Sequence, residues 1–208
     1  MSKKKSDANY FVAADDDSYI GLYVEPQVLL HDYDEYEKFI KGIELAVRKD
    51  DRYTEYVGKL HKAGLNRCAI LGNLTVSDSS ADIEMHHGPI FNLFDICDIV
   101  TRALFARKEP EIDTFKVADI VLEEHRLDNI QVVMLSKTGH KSTHNGDSFI
   151  HIKATVGRID RFIDRWHDGL QREHKQYIAR YIKQCKNYDE TIDNGLFDVA
   201  EKLSSFKE

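Results

Sequence analysis

Apolar residues recur at helical spacing through much of the chain. Between residues 34 and 64 they fall three or four apart, and Gly64 follows as a C-terminal stop, so this stretch predicts one or two helices. The apolar positions that carry this pattern are Phe39, Ile40, Ile43, Ala46 and Val47. Residues 92–108 carry a second helical stripe, which Pro110 ends, and residues 115–127 carry a third. Asp113 or Thr114 is placed to cap the third helix.

Three shorter segments have the pattern of strands. Residues 67–76 are rich in β-forming residues and predict a strand with a Gly-Asn turn inside it. Residues 81–87 alternate, with His87 on the face of Ile83 and Met85 and His86 on the other face. Residues 129–136 form a short, strongly apolar run. Two or three strands among many helices predict an α+β fold that is mainly helical.

The patterns divide the chain into four parts. Residues 1–17 have the composition of a flexible tail, residues 18–66 form a helical region, and residues 67–157 hold the strands, with a helical insertion at 92–127. Residues 158–208 form a C-terminal helical region. In this region we expect one long helix from Gly157 to Lys186 and a terminal helix at 196–206. Before this region, in the segment that follows the strand at 129–136, Gly146 is placed as a helix C-cap.

Composition narrows the class of protein. Apolar residues make up 42% of the chain and charged residues 31%, which is typical of a soluble globular protein. No run of eighteen apolar residues predicts a membrane span, and the N-terminus lacks the apolar core of a secretory signal. The three cysteines are widely spaced, which favours a reducing compartment, the cytoplasm.

Charge is uneven along the chain. The net charge of −7 argues weakly against a general nucleic-acid coat protein. Residues 158–186, however, hold eight Lys or Arg against four Asp or Glu, a local charge of +4. This helix either exposes a solvated face with internal ion pairs or faces the phosphates of a nucleic acid. The candidates for contact with the backbone of DNA are Arg158, Arg161, Arg165, Arg172 and Lys175.

Two histidine motifs carry the candidate chemistry. His86 and His87 are adjacent at the end of a predicted strand. After the next strand, His140 and His144 are four residues apart, so on a helix they lie on the same face, one turn from each other. This spacing allows both imidazoles to reach one metal ion.

The order of strand with His-His, strand, and helix with H-x-x-x-H resembles the HNH, or ββα-metal (His-Me finger), nucleases, closest to their colicin-type variant. The resemblance covers residues 83–146. It implies a ββα-metal core in which the first histidine of the pair and the two helix histidines bind a divalent metal ion, and the second histidine is the general base. The implied ligands are His86, His140 and His144, and the implied base is His87. The family's polar residue before the second strand, which orients the base, corresponds to Asn129.

The chemistry of phosphodiester hydrolysis suits these residue types. A neutral imidazole accepts a proton from water near pH 7, and a divalent metal stabilises charge on the phosphate oxygens. Three imidazoles suit zinc or another first-row metal, whereas the resemblance also admits magnesium, manganese or nickel. The sequence does not distinguish these metals.

Three functions remain open at this point. The first is a metal-dependent endonuclease that cuts DNA with His87 as base. The second is a non-catalytic relative, in which a metal-stabilised scaffold binds a protein or associates with DNA. The third is a helical interaction protein in which the histidine spacing is coincidence. The pattern further suggests a phage or mobile-element protein working in the host cytoplasm. The oligomeric state is not predicted.

Overall fold

Seven α-helices and four short strands make up the part of the chain that the structure, a computed structural model, describes. That part comprises residues 10–12, 19–21, 32–71, 82–144 and 148–188. The strands are β1 (Tyr10–Val12), β2 (Tyr19–Gly21), β3 (Ile83–His87) and β4 (Val132–Ser136). The helices are α1 (Tyr33–Lys49), α2 (Asp51–Lys62), α3 (Leu93–Ala106), α4 (Thr114–Arg126), α5 (Lys137–His144), α6 (Ile159–Trp166) and α7 (Arg172–Tyr188). The predicted fold class, α+β and mainly helical, is confirmed at this level.

The core is helical, and local capping explains where its helices begin. Side chains of Asp32, Asp50, Asn92 and Asp113 accept the backbone N–H groups that open α1, α2, α3 and α4. Asp50 has an extended backbone, so it ends α1 and starts α2, and the predicted stretch 34–64 is two helices. Helix α1 packs against α3 and α4, and Val47, Ile99 and Val121 are fully buried.

The first of the two N-terminal strands lies within residues 1–17, the predicted flexible tail. Strands β1 and β2 pair antiparallel, with Phe11 opposite Ile20, and β2 lies beside α1. Residues 10–12 therefore form backbone hydrogen bonds where a flexible tail was expected. The rest of the predicted tail lies outside the described residues.

Strands β3 and β4 form the second sheet. They pair antiparallel, so that His86 lies opposite Val133 and His87 opposite Val132. All five residues of β4 are buried. Its other edge bonds to the chain at Val156, through both backbone groups of Val132, and at Ala69, whose N–H donates to the carbonyl of Met134. Strand β4 is thus satisfied on both sides, as its continuous apolar sequence requires.

The strand predicted at 67–76 is wrong over its described part, residues 67–71. These residues bend around Cys68, whose Sγ accepts the Leu71 N–H at 3.4 Å. The Ala69 N–H and, through its thiol, Cys68 bond to β4, whose Ser136 Oγ donates to the Cys68 Sγ at 3.4 Å, so β propensity is overridden by a turn that the thiol closes. Residues 72–76 lie outside the described part of the chain.

The prediction of one long helix from Gly157 to Lys186 is also wrong. Helix α6 ends at Trp166, a 3₁₀ turn covers His167–Gly169, and α7 starts at Arg172. The break allows Gly169 to pass close to α3, where a Cβ would lie 1.9 Å from the Ile99 carbonyl oxygen. Only glycine fits that approach. The predicted terminal helix 196–206 and the predicted cap Gly146 lie outside the described residues.

Glu124 joins three parts of this architecture. Its buried carboxylate accepts hydrogen bonds from Asn129 before β4, from Arg165 and from the Trp166 indole, at 2.7, 2.7 and 3.1 Å. Three donors meet the hydrogen-bonding capacity of this buried carboxylate, so it fastens α6 to α4 and to the entry of β4. None of the described helices has the length and apolar character needed to cross a membrane.

Candidate metal site and its groove

Strands β3 and β4 and helix α5 follow the strand–strand–helix order expected from the histidine motifs. Helix α5 begins directly after β4, because the Ser136 Oγ caps it by accepting the Gly139 N–H at 3.2 Å. The Lys137 ammonium lies 2.5 Å from the Asp82 carboxylate, which ties the first turn of α5 to the start of β3. The two histidine motifs are therefore held on neighbouring elements.

His86 and His140 come together in this unit. Their ring centroids lie 4.5 Å apart with the planes tilted by 58°, and both side chains are half-buried. Two imidazoles at this separation can each direct one nitrogen to a common metal ion. The His144 side chain lies outside the described residues. Among the side chains that are described, no group of three or more His, Cys, Asp or Glu is placed to hold a metal.

His87 points to the other side of β3, into the core. It is 4% exposed, its Nε2 lies 2.9 Å from the Nε2 of His125, and its ring stacks on Tyr53 with centroids 6.0 Å apart. The His125 Nδ1 donates to the Val121 carbonyl at 2.7 Å, so in the neutral form its Nε2 is the acceptor. His87 must then donate from its own Nε2. In this arrangement the His87 Nε2 carries the proton and is not free to accept one from water.

Burial keeps both rings of this pair neutral. Desolvation lowers the pKa of His87 well below the usual value for histidine, with His125 nearby acting in the same direction. Desolvation lowers the pKa of His125 to about 4, against the opposing effect of its hydrogen bond to the Val121 carbonyl. The proton arrangement described above is therefore the one expected at pH 7.

The side chains of Asn129 and His87 have different hydrogen-bond partners. The Asn129 amide donates to Glu124 and Asn129 is 3% exposed, so it belongs to the buried network that anchors α6. The structure thus brings together two of the three predicted metal ligands, and it places both residues predicted for catalysis inside the core.

The predicted nucleic-acid contacts separate into two groups. Arg158 pairs with Asp160 and Arg165 with Glu124, both at 2.7 Å. Arg161, Arg172 and Lys175 form no ion pair with any described residue. Only the second group has its charge available for a phosphate.

An open groove of about 920 Å³ runs past His86. One wall is the segment that leaves β3, where Gly88 has a φ of +131° that favours glycine, and the other wall is α7. Helix α7 contributes His174, Tyr177 and Arg180 to the groove. Burial lowers the pKa of His174, against the opposing effect of the Asp95 carboxylate. Its Nδ1 accepts the Gln171 N–H at 3.3 Å, so the neutral ring carries its proton on Nε2.

The sequence did not reveal this wall. Tyr177, Arg180 and Gln184 are three and four residues apart, so their common face was readable, but nothing local indicated that β3 lies across from it. The available sequence signal was an aromatic residue, Tyr177, three positions before Arg180 on that face, and in the structure the Arg180 guanidinium lies 5.1 Å from the Tyr177 ring centroid.

Comparison with known proteins gives a family. The model of the bacteriophage G278-like virion protein family matches residues 2–206, and the chain therefore belongs to that family. The predicted phage origin is confirmed, and the protein is a virion protein by family. No curated protein and no solved structure matches the chain.

Proposed function

We propose that this virion protein binds one divalent metal ion between His86 and His140 and hydrolyses phosphodiester bonds of DNA in the adjoining groove. The observation that carries the proposal is the 4.5 Å separation of these two rings, on a strand and a helix that follow the ββα order. His86 and His140 are 54 residues apart in the sequence, and this separation does not by itself bring their rings together. The fold does so at the edge of an open groove.

The donor set fits a metal with free coordination positions. Structural zinc sites are closed by four protein ligands, whereas catalytic sites have fewer and leave room for water or substrate. Here two imidazoles are in place, His144 is one helical turn beyond His140 in α5, and His86 lines the open groove. A bound ion would supply Lewis-acid stabilisation of the charge that develops on the phosphate oxygens.

The chain's own groups have definite tasks in this proposal. His86 and His140 hold the ion, and the Lys137–Asp82 ion pair and the Ser136 cap fix the helix that carries His140. The Arg180 guanidinium and the Nε2–H of His174 are donors on the opposite wall for phosphate oxygens. His87 positions the end of β3 through His125 and is not assigned to the base.

Plasmid cleavage tests this function. Supercoiled DNA is incubated with the protein and, in turn, Mg²⁺, Mn²⁺, Ni²⁺ or Zn²⁺, and the variants are His86→Ala, His140→Ala and a control, His167→Ala, at an exposed position far along the chain. We expect metal-dependent nicking by the wild type and the control, and at least about a hundredfold loss in the two site variants. Cleavage that persists in both site variants would refute the proposal.

A non-catalytic, metal-stabilised scaffold is the second candidate function. One observation favours it: His87 and Asn129, the residues predicted for catalysis, are both buried and bonded to other core groups. The same assay separates the two functions. Metal binding without cleavage under any of the four metals would support the scaffold and oppose the nuclease.

A further inference from the structure

Helix α7 concentrates positive charge on one flank. It holds five basic residues, Arg172, Lys175, Arg180, Lys183 and Lys186, and a single acidic one, Glu173. At 100° per residue, four of the five basic residues, all except Arg180, fall within an arc of about 80°. We call these four, Arg172, Lys175, Lys183 and Lys186, the cationic flank. It covers about 21 Å of the helix at 1.5 Å per residue.

The cationic flank is set apart by its clustering on one face of one helix, since single basic residues elsewhere, such as Lys49 and Arg67, also form no ion pair with a described residue. Twelve other basic residues lie within 4 Å of a carboxylate, among them Lys38, Arg52 and Lys59. Arg172, Lys175 and Lys183 form no ion pair with a described residue. Like charges three residues apart on one helix, such as Arg172 and Lys175, repel each other, so an anion bound beside them relieves this repulsion.

The shape of the flank favours an extended anion over a small one. The groove face of α7 is a separate face, marked by Tyr177 and Gln184, so the flank is the outer side of the helix. Exposed Ala179 lies in its middle, between Lys175 and Lys183, and leaves it flat. A single phosphate on this surface would meet one or two cations, whereas a polyanion along the helix axis would meet all four.

We propose that the cationic flank of α7 binds the phosphate backbone of double-stranded DNA. A length of about 21 Å corresponds to about six nucleotides of one DNA strand, at about 3.4 Å per nucleotide along the duplex axis. The protein is a virion protein of a phage family, and a packaged genome is the extended polyanion of a virion. Arg180 lies next to the flank around the helix and lines the groove, so DNA on the flank runs beside the groove that His86 also lines.

This inference goes beyond the proposed function, because it needs neither the metal nor cleavage. It also differs from the sequence prediction, since it leaves out Arg158, Arg161 and Arg165, which are not on α7, and adds Lys183 and Lys186. The overall charge of −7 repels DNA at long range, so binding is local and depends strongly on salt.

The test is binding of a fluorescent 20-base-pair duplex, measured by anisotropy in EDTA so that no metal or cleavage contributes. The variant Arg172→Gln, Lys175→Gln, Lys183→Gln is compared with Lys49→Gln, Lys62→Gln, Arg67→Gln, which removes one Arg and two Lys at exposed positions elsewhere. Both variants change the net charge equally. Thermal unfolding checks that both fold.

We expect the slope of log K against log salt to fall by about 2 to 3 in the α7 variant, with at least about tenfold weaker binding near 0.1 M salt. The control should bind within about threefold of wild type. Equal losses in both variants, or no binding by the wild type, would overturn the proposal. So would equally tight binding of poly-L-glutamate, which would identify an acidic protein as the partner. Intact binding in His86→Ala, with cleavage lost or never observed, leaves this proposal standing.

Discussion

His86 and His87 are neighbours in sequence and have different surroundings, because adjacent strand residues point to opposite faces. His86 meets His140 at the groove, and His87 meets His125 in the core. The alternation along 81–87 predicted this separation, but it did not say which face is buried. Helix α4 decides that, by bringing His125 from 38 residues away.

The buried pair makes stability depend on pH. The folded-state pKa values of His87 and His125 lie below that of an unfolded histidine, near 6.5. The unfolded chain therefore binds more protons below pH 6.5, and stability falls as the pH drops from about 6.5 to 4. For His125, whose pKa is about 4, the loss is about 3 kcal/mol.

Urea unfolding at pH 7 and pH 4.5 measures this effect. The double variant His87→Phe, His125→Phe removes both polar partners together, so we expect it to show a clearly smaller loss between the two pH values than the wild type. His167→Gln, at an exposed site, should keep the wild-type loss. An identical pH dependence in the double variant would contradict the neutral, buried pair.

Glu124 and Glu123 form a matched pair for a second prediction. Glu124 accepts three hydrogen bonds in the core, whereas its neighbour Glu123 pairs with Arg126 at the surface. Glu124→Gln replaces an acceptor oxygen with a donor among three donors, and we expect a loss of about 2 to 3 kcal/mol of unfolding free energy. Glu123→Gln should leave the urea midpoint unchanged. Equal midpoints for the two variants would show that Glu124 is not the anchor of α6.

At the scale of elements, local signals predicted helix starts better than chain reversals. Asp113 caps α4 where the sequence indicated, and Asn92 caps α3 at the start of the predicted stretch 92–108, because capping needs only residues within one turn. The segment 67–71 and the break at Gly169 were mispredicted, because each depends on a distant partner. The partners are β4 for the first and the Ile99 carbonyl for the second.

Helix α5 carries His140, so its start controls the site. Ser136→Ala removes the cap at the Gly139 N–H and should cost about 1 kcal/mol of helix stability. If α5 places the ligand, metal affinity measured by calorimetry falls about fivefold. Thr138→Ala, exposed in the same turn, is the control and should not change the affinity. Unchanged metal affinity in Ser136→Ala would show that the helix cap does not position the metal site.

At the scale of the molecule, the sequence predicted which histidines come together and did not predict the groove beside them. The order of His-His, strand and H-x-x-x-H predicted that His86 and His140 approach each other, and the structure brings them together. The groove was missed because its second wall, α7, comes from a segment 90 residues further on.

Metal binding itself is the most direct test of the account. Calorimetric titration with Zn²⁺ of the full chain, His86→Ala, His140→Ala and the control His167→Ala needs no assumption about substrate. The account predicts one ion per chain for the wild type and the control, and at least about tenfold weaker binding in each site variant. Unchanged affinity in both site variants, or no binding by the wild type, would mean that the two histidines do not form a metal site.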